Sequence, residues 1–369
     1  MSPSSTSSSP AASFSLARAG QWFLRSGIQE PSGGVARYHF ISQRRNARIS
    51  TEITGYAVSA LLELEARTGE PAFLAAAEAA GILLCHAWDA SCGAMPFEWA
   101  EDGVLPERHS YFFDNGIIAR GLLRLWKRSG ESRYFDAALR CAESMRRDFL
   151  NSHDIHPILE LPSKRPVPRD ARWSRTSDCY QLKSALAWLE LAEQLPASGF
   201  EAEYERALSR ALQTHASFFD REPDPSRLMD RLHAYCYFLE ALLPRAQRPL
   251  PAQALNEGIQ RAAALLRRLR AGFERSDVNA QLLRVRLWAA AAGAAPLDEA
   301  AAAEEASWAA AYQMNSGDPR LDGGFNFGQR AGSPTDFSNP VSTAFCLQAL
   351  AMWQDHLNGV PPASWRSLI

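Results

Sequence analysis

The sequence predicts an all-α fold, a closed (α/α)6 barrel built from six helical hairpins. Three observations carry that prediction. A two-helix unit recurs along the 369 residues; the first helix of each unit is apolar nearly all round while the second is amphipathic; and one unpaired helix stands at each end of the chain. Joining those two ends completes a sixth hairpin, which an open superhelix would leave unmade.

The unit is plainest in its first two copies. From Glu52 the chain reads EITGYAVSALLELEARTGEPAFLAAAEAAGILLCHAW, and from Asp114 it reads DNGIIARGLLRLWKRSGESRYFDAALRCAESMRRDFL, with SGES where TGEP stood. A polar break with a glycine between two apolar-periodic stretches is a helix stop followed by a helix start. The third copy opens at Asp178 with DCYQLKSALAWLELAEQL, and its partner helix spans Glu201 to Phe219. The fourth begins near Asp230 and pairs with a helix from Ala252 to Leu269. The fifth opens at Asp277 and continues into an Ala-rich helix from Leu297 to Gln313. The sixth pairs NPVSTAFCLQALAMWQDHL, from Asn339, with Phe14 to Ser26 at the other end.

A helix that is apolar on every face must be buried, so the first helices form an inner ring and the second an outer ring. Residues 14–369 then make one toroid domain, preceded by a Ser/Pro-rich tail over 1–13 that can bury almost nothing and is expected to be disordered. Composition excludes several functions. With 39 basic against 41 acidic residues and a net charge of -2, no broad positive field exists to hold nucleic acid or an anionic membrane. No apolar run reaches spanning length and the start lacks a secretory pattern, so membrane insertion is not expected and a cytoplasmic location is. The six cysteines are scattered without CxxC spacing and read as reduced thiols.

All inner helices of such a ring run parallel, so their N-termini and the long loops feeding them meet at one mouth. Glu52, Asp114 with Asn115, Asp178, Asp230 with His233, Asp277 with Asn279, and Asn339 with Ser342 all sit near an inner N-terminus. Helix capping accounts for Asp, Asn and Ser at such positions. It does not account for the aromatic and basic residues beside them. GGVARYHF brings Arg37, Tyr38 and His39, with Tyr56 one turn into the helix that follows. HSYFFDN brings Tyr111, and RWSRTSDCYQ brings Trp173, Arg175 and Tyr180. LDGGFNFGQRAGSPTDFSNP adds Phe325, Asn326, Phe327 and Arg330. Aromatic planes mixed with carboxylates, amides and arginines suit a saccharide ligand. The catalytic candidates are Glu52, Asp114, Asp178, His233 and Tyr180, and the candidates for binding the sugar are Arg37, Tyr38, His39, Tyr56, Tyr111, Asn115, Trp173, Arg175, Asn279, Phe325 and Asn326. No cofactor or metal is expected, and nothing in the sequence names a protein partner.

The stretches GGVARYH, STEITGYAVSALLELEARTGEPAFL and FDNGIIARGLLRLWKRSGESRYFDAA cover roughly the first 40% of the chain. Through them the sequence resembles six-hairpin toroid proteins of carbohydrate metabolism, and in particular bacterial proteins similar to the C-terminal domain of D-glucuronyl C5-epimerase, some of them associated with polysaccharide assembly. The resemblance implies proton removal at C5 beside a uronate carboxylate and return of a proton to the other face. That chemistry needs a base and an acid on opposite faces and a cation for the enolate-like intermediate. Tyr38, Tyr56, Tyr111, Tyr180 and His233 could handle protons, Glu52 and Asp114 could be bases, and Arg37 or Arg175 could clamp the carboxylate.

Two alternatives remain open on the same residues. A carboxylate pair among Glu52, Asp114 and Asp178 could hydrolyse a glycosidic bond, or the mouth could bind saccharide without catalysis. Carbocation chemistry lacks its DxDD and DDxxD motifs. Zinc chemistry lacks central ligands, since Cys85 and His86 fall in an outer helix, and His153 and His156 read as parts of a polar loop.

Overall fold

Glycine and proline cut the chain where the repeat does. The computed structural model describes residues 14–369 apart from 106, 152, 153, 171, 221 and 223, so the 1–13 tail and His153 lie outside the described residues. Gly69 and Gly130 take left-handed φ values of 71° and 77°, and their N–H groups donate to the carbonyls of Glu65 and Trp126. Each thereby stops an inner helix, and Pro71 starts the next from the first helical position.

The described residues form twelve α-helices: α1 (Leu16–Arg25), α2 (Thr51–Thr68), α3 (Pro71–Ala87), α4 (Phe112–Ser129), α5 (Ser132–Asp148), α6 (Leu182–Ala192), α7 (Phe200–Thr214), α8 (Pro225–Leu242), α9 (Pro249–Leu269), α10 (Ser276–Ala291), α11 (Glu299–Ala311) and α12 (Pro340–Leu357). The even-numbered helices pack each against the next, and α12 packs against α2, so the inner ring is closed. Helix α1 lies beside α12, the pairing expected of the two chain ends. The fourth inner helix starts at Pro225, five residues before the expected Asp230, because a proline at the first helical position costs no hydrogen bond. Among the described residues no helix is long and apolar enough to cross a membrane, and the six cysteines are free.

Backbones touch where three inner helices meet. A Cβ on Gly121 of α4 would lie 2.6 Å from the carbonyl oxygen of Gly55 in α2, and one on Gly116 would lie 2.4 Å from Cα of Ser184 in α6. Only glycine permits approaches this close.

The loops at the N-terminal end of the inner ring are not irregular. Among the described residues they carry eleven short strands: β1 (His39–Phe40), β2 (Arg45–Asn46), β3 (Ile49–Ser50), β4 (Glu98–Trp99), β5 (His109–Tyr111), β6 (Ile158–Glu160), β7 (Arg165–Pro166), β8 (Phe273–Arg275), β9 (Gly328–Arg330), β10 (Ser333–Pro334) and β11 (Phe337–Ser338). All pairs are antiparallel. The sheets run β11-β1-β2, β3-β4, β5-β6-β7 and β10-β9-β8. His39 pairs with Ser338 and Arg275 with Gly328, so segments remote in sequence are stitched into one rim. Strands β3, β5, β8 and β11 each feed directly into an inner helix or end one residue before it.

At the opposite end of the ring the chain folds back on itself. Residues Trp365–Ser367 form a 3-10 turn, and Leu368 and Ile369 are buried among the inner helices. Backbone oxygens of this segment accept from Arg120 (Leu368 O, 3.1 Å), Gln348 (Ser367 O, 2.7 Å) and Lys183 (Ile369 O, 3.2 Å).

Candidate active site

The strand-to-helix junctions share one construction. At the β5–α4 junction the Asn115 amide donates to Ser110 Oγ (3.1 Å) and to the Tyr111 carbonyl (2.7 Å). At the β8–α10 junction the Asn279 amide donates to Glu274 Oε1 (3.0 Å) and to the Arg275 carbonyl (3.3 Å). Each asparagine sits four residues past the last strand residue and hooks it to the helix. That residue, Tyr111 or Arg275, is thereby turned inward, and the next acidic residue, Asp114 or Asp277, falls in the first helical turn. At α2 the hook is Ser50, whose side chain accepts from Ile53 N, and Glu52 follows in the first turn. Thr51 Oγ1 donates to the Pro96 carbonyl at 2.6 Å, which seats Phe97 beside it.

A cavity of about 420 Å³ opens over these junctions, of the size that takes a small ligand. Glu52, Asp114, His233, Arg37, Tyr38, Tyr111, Trp173 and Tyr180, all candidates from the sequence, line it together. In the order of the ring, α8 lies opposite α2 and α10 lies opposite α4, so Glu52 faces the His233 side and Asp114 faces the Asp277 side.

The two sides differ electrically. Burial pushes the Glu52 carboxyl up to about 7 although Arg37 acts the other way. Burial and then Glu52 push Asp114 well above the carboxylate range, again opposed by Arg37. Asp114 Oδ2 is buried with no hydrogen-bond partner. This pair therefore retains a proton near neutral pH. Arg37 is exposed at the rim, with its guanidinium 5.1 Å from the centre of the Phe97 ring.

Across the cavity Arg275 holds both oxygens of Asp277 (3.0 and 2.7 Å) and also reaches Asp230 at 2.8 Å. Burial alone would raise Asp277, but Arg275 and His233 overcome it and hold the carboxyl below its usual value. Burial, then Arg275, depress His233 to about 4, so its imidazole is neutral. His233 Nδ1 lies 2.7 Å from Gln281 Oε1 and 3.8 Å from Asp277 Oδ2. The rings of Tyr237 (4.6 Å) and Trp173 (6.4 Å) meet it edge-on. Tyr180 donates to the Thr176 carbonyl at 2.8 Å and packs edge-on against Trp173, so its hydroxyl is engaged by the loop. Burial lifts Tyr111 to about 12, so its phenol stays protonated.

Eight other candidates are placed elsewhere, each for a physical reason. Asn115 and Asn279 are the hooks described above. His39 is buried in β1 with Nδ1 2.8 Å from Asn46 Oδ1, and Phe325 is wholly buried in the core. Asn326 braces its own loop, donating to the Thr335 carbonyl (2.8 Å) and accepting from Gly328 N (3.0 Å). Arg175 pairs with Asp170 at 3.5 Å at the rim near Tyr111. Tyr56 lies beneath the cavity, edge-on to Phe345 at 5.3 Å. Asp178 precedes the 3-10 turn Cys179–Gln181 and lines a separate recess with Arg210 and Thr214, because that turn rotates it toward α7.

Arg275, Tyr237, Phe97 and Phe337 also line the cavity, and sequence reasoning did not select them. Arg275 was findable, since GFERSD approaches α10 as HSYFFD approaches α4. Tyr237, one turn past His233, carries no such signal. Among the described residues no group of three or more His, Cys, Asp or Glu side chains is arranged to hold a metal ion.

No protein-family model matches the chain, and no curated protein sequence matches it. Solved structures do. A cellobiose 2-epimerase from Spirochaeta thermophila is similar with a TM-score of 0.68 at 15% identity, over 93% of this chain and 96% of that one. A sugar epimerase from a ruminal bacterium gives 0.67 at 11% identity, over 91% and 98%. A family 76 glycoside hydrolase from a bovine Bacteroides thetaiotaomicron strain gives 0.60 at 12% identity, over 91% and 77%. At these identities the likeness establishes the (α/α)6 toroid fold, and the chemistry has to be argued from the cavity itself.

Proposed function

We propose that this toroid is a carbohydrate-active enzyme that moves protons at a sugar carbon, in an epimerase-like reaction at C5 of a uronic acid within polysaccharide synthesis or modification. One observation carries the reading: a single cavity holds a proton-retaining carboxyl pair on α2 and α4 and a neutral imidazole on the facing helix α8. Inversion at a carbon needs those two functions on opposite faces of the sugar. In the forward direction His233 takes the C5 proton as the C–H electron pair moves into an enolate stabilised by the neighbouring carboxylate. The O–H of the Glu52–Asp114 pair then breaks as a new C5–H bond forms on the other face. In this reading Arg37, exposed at the rim, holds the uronate carboxylate. Tyr38, Tyr111 and Trp173 supply apolar planes for the ring. The sugar epimerases among the structural neighbours support a saccharide substrate for this fold.

A second reading rests on Asp277. Arg275 keeps that carboxylate ionised while Glu52 is kept protonated, the division of labour by which glycosidases cleave a glycosidic bond. The family 76 glycoside hydrolase neighbour is consistent with it.

The test is incubation with uronic-acid oligosaccharides in deuterated water, followed by mass spectrometry and NMR. Epimerisation predicts incorporation of one deuterium per turned-over residue with chain length unchanged, whereas hydrolysis predicts new reducing ends without deuterium on carbon. Neither product, across a panel of uronates, would overturn the reading. With His233 as base and the Glu52–Asp114 pair as acid, the rate should rise with pH through about 4 and fall through about 7. A rate that climbs through 7 would make Glu52 the base.

A further inference from the structure

We propose that Gln281 is a positioning residue that fixes the tautomer of His233, so that Nε2 is the nitrogen offered to the substrate. The inference rests on the reading that His233 handles a proton. Gln281 lies on α10, wholly buried, one turn past Asp277. Its Oε1 stands 2.7 Å from His233 Nδ1, and the next nearest polar atom recorded at that nitrogen, Asp277 Oδ2 at 3.8 Å, is also an acceptor. With an amide oxygen at hydrogen-bond distance and a carboxylate oxygen just beyond it, this nitrogen is the one that carries the proton in the proposed arrangement. A neutral imidazole so pinned keeps its lone pair on Nε2, and the ring lines the cavity.

The identity of the partner matters as much as its place. Around His233 stand Arg275 and Asp277 from the β8–α10 corner, Asp230 and Tyr237 from its own helix, and the rings of Trp173 and Phe345. Asp277 is already engaged by Arg275 and by Ser342 (3.5 Å), so its charge is spent elsewhere. A carboxylate in direct contact with Nδ1 would favour the imidazolium. An amide oxygen orients the ring without adding charge, which keeps the imidazole free to accept a proton. The fold tolerates a cost for this arrangement, since Gln281 Nε2 is buried with no partner.

The experiment is 15N NMR of the full-length protein labelled at histidine, with His233 assigned by the signals lost in His233→Asn. In the wild-type protein at neutral pH, Nδ1 should appear as the protonated nitrogen and Nε2 as the bare one. Gln281→Met should mix or reverse the tautomers and lower kcat by on the order of 10- to 100-fold with KM little changed. Gln281→Glu should restore the Nδ1–H tautomer while moving the acid limb of the His233 titration upward by a unit or more. A protonated Nε2 in the wild-type protein, or an unchanged tautomer in Gln281→Met, would overturn the proposal. If Gln281→Met does not fold, the wild-type tautomer and the Gln281→Glu titration decide it. The tautomer is read without turnover, so a protein inactive on every saccharide would count against the proposed reaction and not against this assignment.

Discussion

The ring buries charge at both of its ends and treats it in opposite ways. At the far end Glu240, 1% exposed, receives Lys183 at 2.8 Å and a contact from Arg284, while Arg120 meets Glu190 at 2.7 Å. Gln348 and the oxygens of residues 367–369 take several of the remaining donors, while Arg284 Nε is buried without a partner. Burial alone would raise the Glu240 carboxyl, but Arg284 and Lys183 hold it below its usual value. At the mouth, Glu52 and Asp114 crowd together, the Arg37 that opposes their shifts is exposed, and an oxygen of Asp114 has no partner. Buried groups that satisfy each other stabilise a fold, and buried groups left wanting are available to a ligand.

That contrast can be broken by substitution. The largest expected effect is at the mouth, where Glu52→Gln or Asp114→Asn should lower turnover by about 10²- to 10⁴-fold while the protein stays folded. These changes should even stabilise it at neutral pH. A carboxyl raised from 4.5 to about 7 on folding binds its proton more tightly in the native state, so its contribution is complete below 4.5 and is lost as pH rises through 7. Urea titrations at pH 5 and pH 8 should show the wild-type protein losing stability over that interval and Glu52→Gln losing less. If the variants unfold and spare activity per folded molecule, the carboxyls are structural and the contrast is wrong.

The next effect belongs to the far end. Glu240→Gln leaves Lys183 and Arg284 without their carboxylate and should cost about 3–5 kcal/mol in chemical denaturation. Its turnover per folded molecule should remain near that of the wild-type protein. The smallest effect sharpens the boundary between cap and catalyst. Ser50→Ala removes the side-chain acceptor for Ile53 N beside Glu52 and should cost only about 1 kcal/mol, with kcat nearly intact. A collapse of kcat in that variant would mean that the cap, and not Glu52 alone, sets the site.

The hairpin repeat was legible because it is local: TGEP and SGES stop and restart helices within a few residues. The same locality revealed Glu52, Asp114 and His233, which the helices themselves place. It failed at the loops. Asn115 and Asn279 look like ligand-binding amides in a string of letters, and only the strand before each shows that its donors are already used. Phe97 and Phe337 reach the cavity through β3-β4 and β11-β1 pairings that join segments remote in sequence, and two-residue strands leave no periodic signature. Asp178 lines a separate recess for a related reason, since a 3-10 turn advances by three residues and aims a side chain differently from an α-helical first turn.

The glycine contacts between α2, α4 and α6 have a bearing on acidity. Glu52 and Asp114 ride on helices whose backbones touch at Gly55 and Gly121, so the separation of the two carboxyls is governed by the thickness of a bare peptide. A single methyl group at Gly121 would act as a shim, spreading α2 from α4 and easing the share of the Asp114 shift that Glu52 contributes, while the larger share, burial, would remain. Part of the proton affinity of the mouth is in that sense a mechanical tolerance, machined into the ring within a turn of Glu52 and about two turns below Asp114.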